Sequence, residues 1–175
     1  MSYFVCDVEA DASSPAIGSM VCFGVVKIDE NLDKIFYGKT APISVLWNPD
    51  ALKISGFSRE EHENFDEPQI VIKNFAKWVK EVNTIGSPIF ITDNPAFDWQ
   101  WINFYFDLCN VKNPFGFSAR RIGDLYAGMM KDASKASKWK KFRIEPHNHH
   151  PISDALGNAQ ALLKIKKLGL KIKFD

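Results

Sequence analysis

Cysteine is scarce in this chain, and no two cysteines sit at a redox or zinc spacing. The three are Cys6, Cys22 and Cys109. Their number is odd, no C-x-x-C occurs, and each lies among apolar residues. That pattern excludes a disulfide framework and points to reduced thiols used as small core residues, as expected of a cytoplasmic protein. A dominant charge is missing as well: 22 Lys and Arg face 21 Asp and Glu, for a net charge of +1. No global basic field therefore advertises a polyanion, and any such site must be a local patch. No run approaches the ~20 apolar residues that a membrane span needs. The N-terminus has no basic region followed by a long apolar stretch, so no signal peptide is expected. Internal repeats and low-complexity tracts are also missing. What the chain does have is apolar material. It has 175 residues, 46% hydrophobic and 13% aromatic, which fits one well-filled domain over residues 1–175.

The coarse pattern is strands first, then helices. Residues 3–9 (YFVCDVE) read as a strand. Tyr3, Val5, Asp7 and Glu9 share one face, and Phe4, Cys6 and Val8 the other. Residues 19–29 and 34–38 read as the next two strands of a meander, with turn chemistry at Asn31 and Asp33. Residues 51–56 look like a short helix closed by Gly56. Ser58 and Glu61 form a capping-box pattern. Pro68 opens an amphipathic helix with Ile70, Ile72, Phe75, Val79 and Val82 as its apolar stripe. Residues 87–92 (SPIFIT) read as a buried strand. Helices follow over 94–110, with Asn94 and Pro95 at its start, then over 118–130, and from about 153 to 169. This order predicts an α/β layered domain with a mixed central sheet, the first three strands antiparallel and a later one parallel by crossover.

Three features stand out chemically. Asp7 and Glu9 end an otherwise apolar strand and point the same way. Buried together they would repel each other, and a divalent cation relieves that most simply, because hard carboxylate oxygens suit Mg²⁺ or Mn²⁺. The alternative is a pair of solvated loop acids. Asp98 opens a helix that is apolar nearly all round. The helix dipole favours an acid there by only ~0.3–1 kcal/mol, little beside the several kcal/mol of burying a lone charge. His149 precedes a helix that carries Asp154 in its first turn. An imidazole beside a carboxylate-held metal suits general-base work, its pKa being near neutrality. A surface histidine and a helix-favouring acid is the other reading. His147 and His149 also form an H-x-H pair, but no further Cys or His has a matching zinc spacing.

Taken in order, a strand with Asp-x-Glu, a buried helix with Asn94-x-x-x-Asp98, and a late His149-x-x-x-x-Asp154 resemble the DEDDh 3′–5′ exonuclease family. Residues 113–125 and the short length are similar to its RNase AS-like branch. The resemblance implies an RNase H-like layered fold, helices flanking the sheet. It also implies two Mg²⁺ or Mn²⁺ ions held by Asp7, Glu9, Asp98 and Asp154, with His149 as general base. The expected reaction removes nucleoside 5′-monophosphates from single-stranded 3′ ends. The same branch implies RNA in preference to DNA, and a homodimer. The alternatives are a DNA-trimming enzyme of the same fold and a module that binds nucleic acid without cutting it. Many relatives carry Thr after the first-motif Glu, to meet the terminal nucleotide; here that place is Ala10. For substrate contacts, Phe97 and Met20 are candidates to stack on bases, with plain core residues as the alternative. Residues 131–143 carry six basic side chains, Lys138 among them, with Trp139 and Phe142. Together with Arg120 and Arg121 they suit a phosphate-tracking groove or a solvated basic loop.

Overall fold

A computed structural model describes residues 1–173. The strands are β1 (Tyr3–Ala10), β2 (Met20–Lys27), β3 (Ile35–Lys39), β4 (Ile89–Thr92) and β5 (Ala119–Arg121). They form a sheet of order β3-β2-β1-β4-β5. The pairs β3–β2 and β2–β1 are antiparallel, and β1–β4 and β4–β5 are parallel. The mixed sheet expected from the sequence is therefore present. The helices are α1 (Pro49–Ile54), α2 (Arg59–Glu63), α3 (Pro68–Val82), α4 (Pro95–Leu108), α5 (Ile122–Met130) and α6 (Pro151–Lys167). No helix among the described residues is long and apolar enough to cross a membrane.

Alternation along β1 builds one core on each face of the sheet. Phe4, Cys6 and Val8 of β1 pack with Ile72, Phe75 and Val79 of α3 and with Trp101, Tyr105 and Phe106 of α4. Tyr3 and Val5 pack on the opposite face with Ile122 and Tyr126 of α5 and with Ala155, Ala159 and Leu162 of α6. Asp7 and Glu9 therefore point to the α6 side. The three cysteines are free and buried, as their apolar surroundings suggested.

Several local expectations need correction. The sequence pattern puts 118–121 in the first turn of a helix, but Ala119–Arg121 pair with Phe90–Thr92 as an edge strand. Three residues are too few to carry a period, so a partner brought by the fold decided their state. In α3 the buried stripe is Val71, Ile72, Phe75 and Val79, and Ile70 lies outside it, 53% exposed. α6 starts at Pro151, two residues earlier than expected, with the proline at the first helical position, where its missing N–H costs nothing. Residues 131–143 hold two short 3₁₀ turns, Ala133–Lys135 and Lys138–Phe142. The capping box at Ser58 is present, with the Ser58 and Glu61 side chains each taking the other's backbone N–H.

Candidate active site

The site sits where the strand order reverses, at the carboxyl end of β1. β4 pairs with β1 only from Tyr3 to Val5, while β2 follows β1 to Ala10. The β4 side of β1 is thus open beyond Val5. Open α/β sheets bind ligands at such a switch point. Asp98, in the first turn of α4, fills the opening: its Oδ1 accepts the Val8 N–H at 3.0 Å, and its Oδ2 accepts the Thr92 hydroxyl.

On the other face, α6 brings Asp154 beside Asp7 and Glu9. One carboxylate oxygen from each of these three lies within 4.8 Å of the others, so hard donors converge on a spot suited to a divalent cation. Gly24 makes this approach possible. It pairs across from Asp7, and a Cβ there would lie 2.5 Å from the Ile152 nitrogen and the Pro151 carbonyl. With no side chain at that position, the start of α6 rests on the sheet itself.

Asp154 is fully buried and organises the preceding loop. It accepts the backbone N–H of His149 at 2.9 Å and of Asn148 at 3.3 Å. The Arg143 guanidinium reaches it at 2.6 Å and His147 Nδ1 at 2.8 Å. His149 is half exposed, and its Nδ1 lies 3.6 Å from Glu9 Oε1. The rings of His147 and His149 meet edge to face, 4.3 Å between centroids.

The electrostatics are those of crowded acids. Burial, then Asp98, Asp154 and Glu9, push Asp7 well above the usual carboxylate range, and Arg143 pulls it back in part. Burial, with Asp154 and Asp98, raises Glu9 to about 8. Burial raises Asp98 to about 7 against the hydrogen bonds from Thr92, Val8 and Asn94. Divalent cations are the natural counter-charge for such a cluster.

These acids open onto a cleft of about 490 Å³ whose lining includes Asp7, Glu9, Ala10, Phe97, Asp98 and His149. Other candidates fall elsewhere. Met20 is wholly buried in the core, so it cannot stack on a base; the register shift between Glu9 and Ala10 pairs it with Ala10 and turns it to the α4 side, where its N–H donates to the Tyr105 hydroxyl at 2.9 Å. Arg120 is exposed on β5 and Lys138 on a 3₁₀ turn, and neither lines the cleft. The 131–143 segment does not act as one groove. Lys140 pairs with Asp93 and Arg143 with Asp154. Trp139 is buried in the core, Phe142 packs on Tyr126, and Lys141 lines a separate cleft with Lys164 and Lys167. Sequence reasoning missed Arg143 and His147 as direct partners of Asp154. The signal for both was present, a basic run and an H-x-H pair upstream of Asp154. It also missed Ser13, Asn48 and Ile54, which line the cleft and carry no local mark of function.

A search of family models finds no match. A 3′–5′ DNA exonuclease of Escherichia coli, Cap18, is 30% identical over 179 aligned positions, covering 97% of this chain and 94% of that protein. Among solved structures, the nuclease domain of 3′hExo, a DEDDh family member bound to rAMP, matches with a TM-score of 0.80 at 17% identity, over 99% of this chain and 96% of that one. A complex of E. coli ExoI with single-stranded DNA matches with a TM-score of 0.68 at 16% identity, over 97% of this chain and 41% of that one. The full-length relative and the shared fold, with acids and a histidine at one cleft, place this chain in the DEDDh family of 3′–5′ exonucleases.

Proposed function

We propose that Asp7, Glu9, Asp98 and Asp154 bind two divalent cations, Mg²⁺ or Mn²⁺, and that His149 is the general base that removes the 3′-terminal nucleotide of a single strand. The observation that carries this is the convergence of Asp7, Glu9 and Asp154 within 4.8 Å at a cleft whose rim holds His149. Bound cations supply water activation and stabilisation of the leaving 3′ oxygen. The chain's own contribution is positional. Asp7 and Glu9 are fixed by a central strand, and Asp154 by a helix start. Asp98 is already engaged by Val8 and Thr92, so its metal role rests most on the family resemblance. His149, at the solvent side of Glu9, takes the proton of the attacking water. The product is a nucleoside 5′-monophosphate.

For the substrate, DNA takes first place, on the strength of a full-length relative that is a DNA exonuclease. Ala10, buried beside Glu9 and lining the cleft, offers no side-chain hydroxyl to a terminal sugar. RNA is the second reading; it and a homodimer follow from the RNase AS-like resemblance. Parallel digestion of 5′-labelled DNA and RNA oligomers of one sequence separates the substrates, and sedimentation tests the dimer. Asp98→Asn is expected to abolish cleavage while leaving thermal stability equal or higher. An Asp98→Asn protein that cuts at the wild-type rate defeats the assignment.

A further inference from the structure

Beyond the metal end of the cleft lies an apolar shelf. A hollow of about 250 Å³, lined by Ala12, Ser13, Ile17, Leu46, Trp47 and Asn48, shares Ala12, Ser13 and Asn48 with the catalytic cleft. Its apolar walls are open to water: Ile17 is 50% exposed, Leu46 58% and Trp47 38%. Contiguous apolar surface of this kind marks a binding face.

The shelf is also held in place by charges that the metal site does not use. Asp11, two residues beyond Glu9, is fully buried and pairs with Arg59 at 3.2 Å. Arg59 also bonds Glu63 at 2.8 Å and the Ser44 carbonyl at 3.2 Å. Its guanidinium carbon lies 5.4 Å from the centre of the Trp47 ring. The Asp11 carbonyl accepts the Asn48 N–H at 2.7 Å, and the Ser19 hydroxyl accepts the N–H groups of Ile43 and Ser44. One end of the 43–48 loop is therefore tied to Asp11, just past the end of β1, and the other to Ser19, just before β2. An exposed aromatic side chain fixed in this way has little freedom left to lose on binding.

We propose that the Ile17–Leu46–Trp47 shelf is a nucleobase-stacking subsite that takes one base of the substrate strand, with the Asp11–Arg59 pair as its positioning element. This rests on the exonuclease reading of the adjoining cleft. The hollow is continuous with that cleft, is of a size for one base, and is lined by aromatic, aliphatic and small polar side chains with no charged one, Arg59 meeting the Trp47 ring from outside that lining. Such faces grip any base by its π surface, without regard to sequence.

The test is fluorescence anisotropy of a labelled single strand of about ten nucleotides in chelator, beside steady-state cleavage with Mn²⁺. Trp47→Ala is expected to raise Kd and KM about tenfold and to leave kcat within about twofold, with Trp47→Phe recovering most of the loss. Abasic substitution at one position near the 3′ end should weaken wild-type binding similarly and add nothing in Trp47→Ala. Thermal unfolding checks that each variant is folded. An unchanged Kd in Trp47→Ala, or an abasic penalty equal in both proteins, overturns the shelf. So does loss of self-association in Trp47→Ala with strand binding intact, which assigns the patch to a second copy. A wild-type protein that binds strands through Trp47 but never cuts them sinks the exonuclease reading and leaves the shelf standing.

Discussion

His149 holds a left-handed backbone, φ 59°, which residues with a side chain adopt rarely, histidine more often than most. Such strain persists only where the surroundings enforce it. Here the enforcement is visible, because the Asp154 carboxylate takes the N–H groups of both Asn148 and His149. The ring is thereby delivered to Glu9 without itself being buried. Replacing His149 with Ala is expected to cut kcat by about 10²–10⁴-fold, the usual worth of a positioned general base. Mn²⁺ affinity, read by calorimetry, should be unchanged, because the carboxylates are the proposed ligands. Weakened Mn²⁺ binding in that variant would make His149 a ligand instead. Asp98 differs from the other acids. Neutral donors of Val8, Thr92 and Asn94 already satisfy it, so its amide counterpart can keep much of that geometry.

At the scale of elements, the site depends on how closely α6 approaches the sheet. Gly24→Ala would put a Cβ within 2.5 Å of the Pro151 and Ile152 backbone, and backbone cannot rotate away. Overpacking of this kind costs about 1–3 kcal/mol, to be read from urea unfolding. The larger expected effect is on kcat, since shifting the start of α6 moves Asp154 from Asp7. A Gly24→Ala protein with full activity would mean that the helix start does not set the carboxylate spacing. Arg143 works in the same place. Its side chain is 10% exposed against a fully buried Asp154, and a Cβ on Gly157 would come within 3.0 Å of its Nε. Removing one partner of a buried ion pair costs about 3–5 kcal/mol. His147 and two backbone donors remain on Asp154, so Arg143→Ala should sit at the low end in chelator. The loss should shrink when Mn²⁺ is added, as bound cations take over the counter-charge.

Across the whole molecule the acids make stability depend on pH and on metal. Burial raises Asp98 to about 7, and burial with repulsion from neighbouring acids raises Glu9 to about 8 and Asp7 as well. Each therefore binds its proton more tightly in the folded chain than in the unfolded one, whose carboxyls titrate near ~4. Between about pH 4 and pH 8 the folded state holds more protons, so stability falls as pH rises through that window. Metal-free protein should have a lower Tm at pH 8 than at pH 6. Mn²⁺ should raise Tm most at pH 8, by about 2.7 kcal/mol of stability at a hundred times Kd. A Tm in chelator that is flat or rising from pH 6 to 8 would contradict the crowded-acid account. With a net charge of only +1, strand capture cannot rely on the protein's overall field, which gives contacts close to the cleft, such as the proposed shelf, a larger share of the work.

The sequence by itself determined the alternation along β1, the helix starts at Pro68 and Pro95, and the acids at 7, 9, 98 and 154. Each of these is written locally, as a period, a cap, or a charge in an apolar setting. The tertiary structure alone decided that β5 exists, that Met20 faces the core, and that the basic run of 131–143 divides among separate partners. It also decided that Arg143 and His147 meet Asp154, and that a tied loop sets Trp47 beside the catalytic cleft. Those outcomes turn on which surfaces approach within a few ångströms after the chain has folded. Gly24 illustrates the difference: in the sequence it is only a glycine in a strand, and its meaning comes from a helix start more than a hundred residues away.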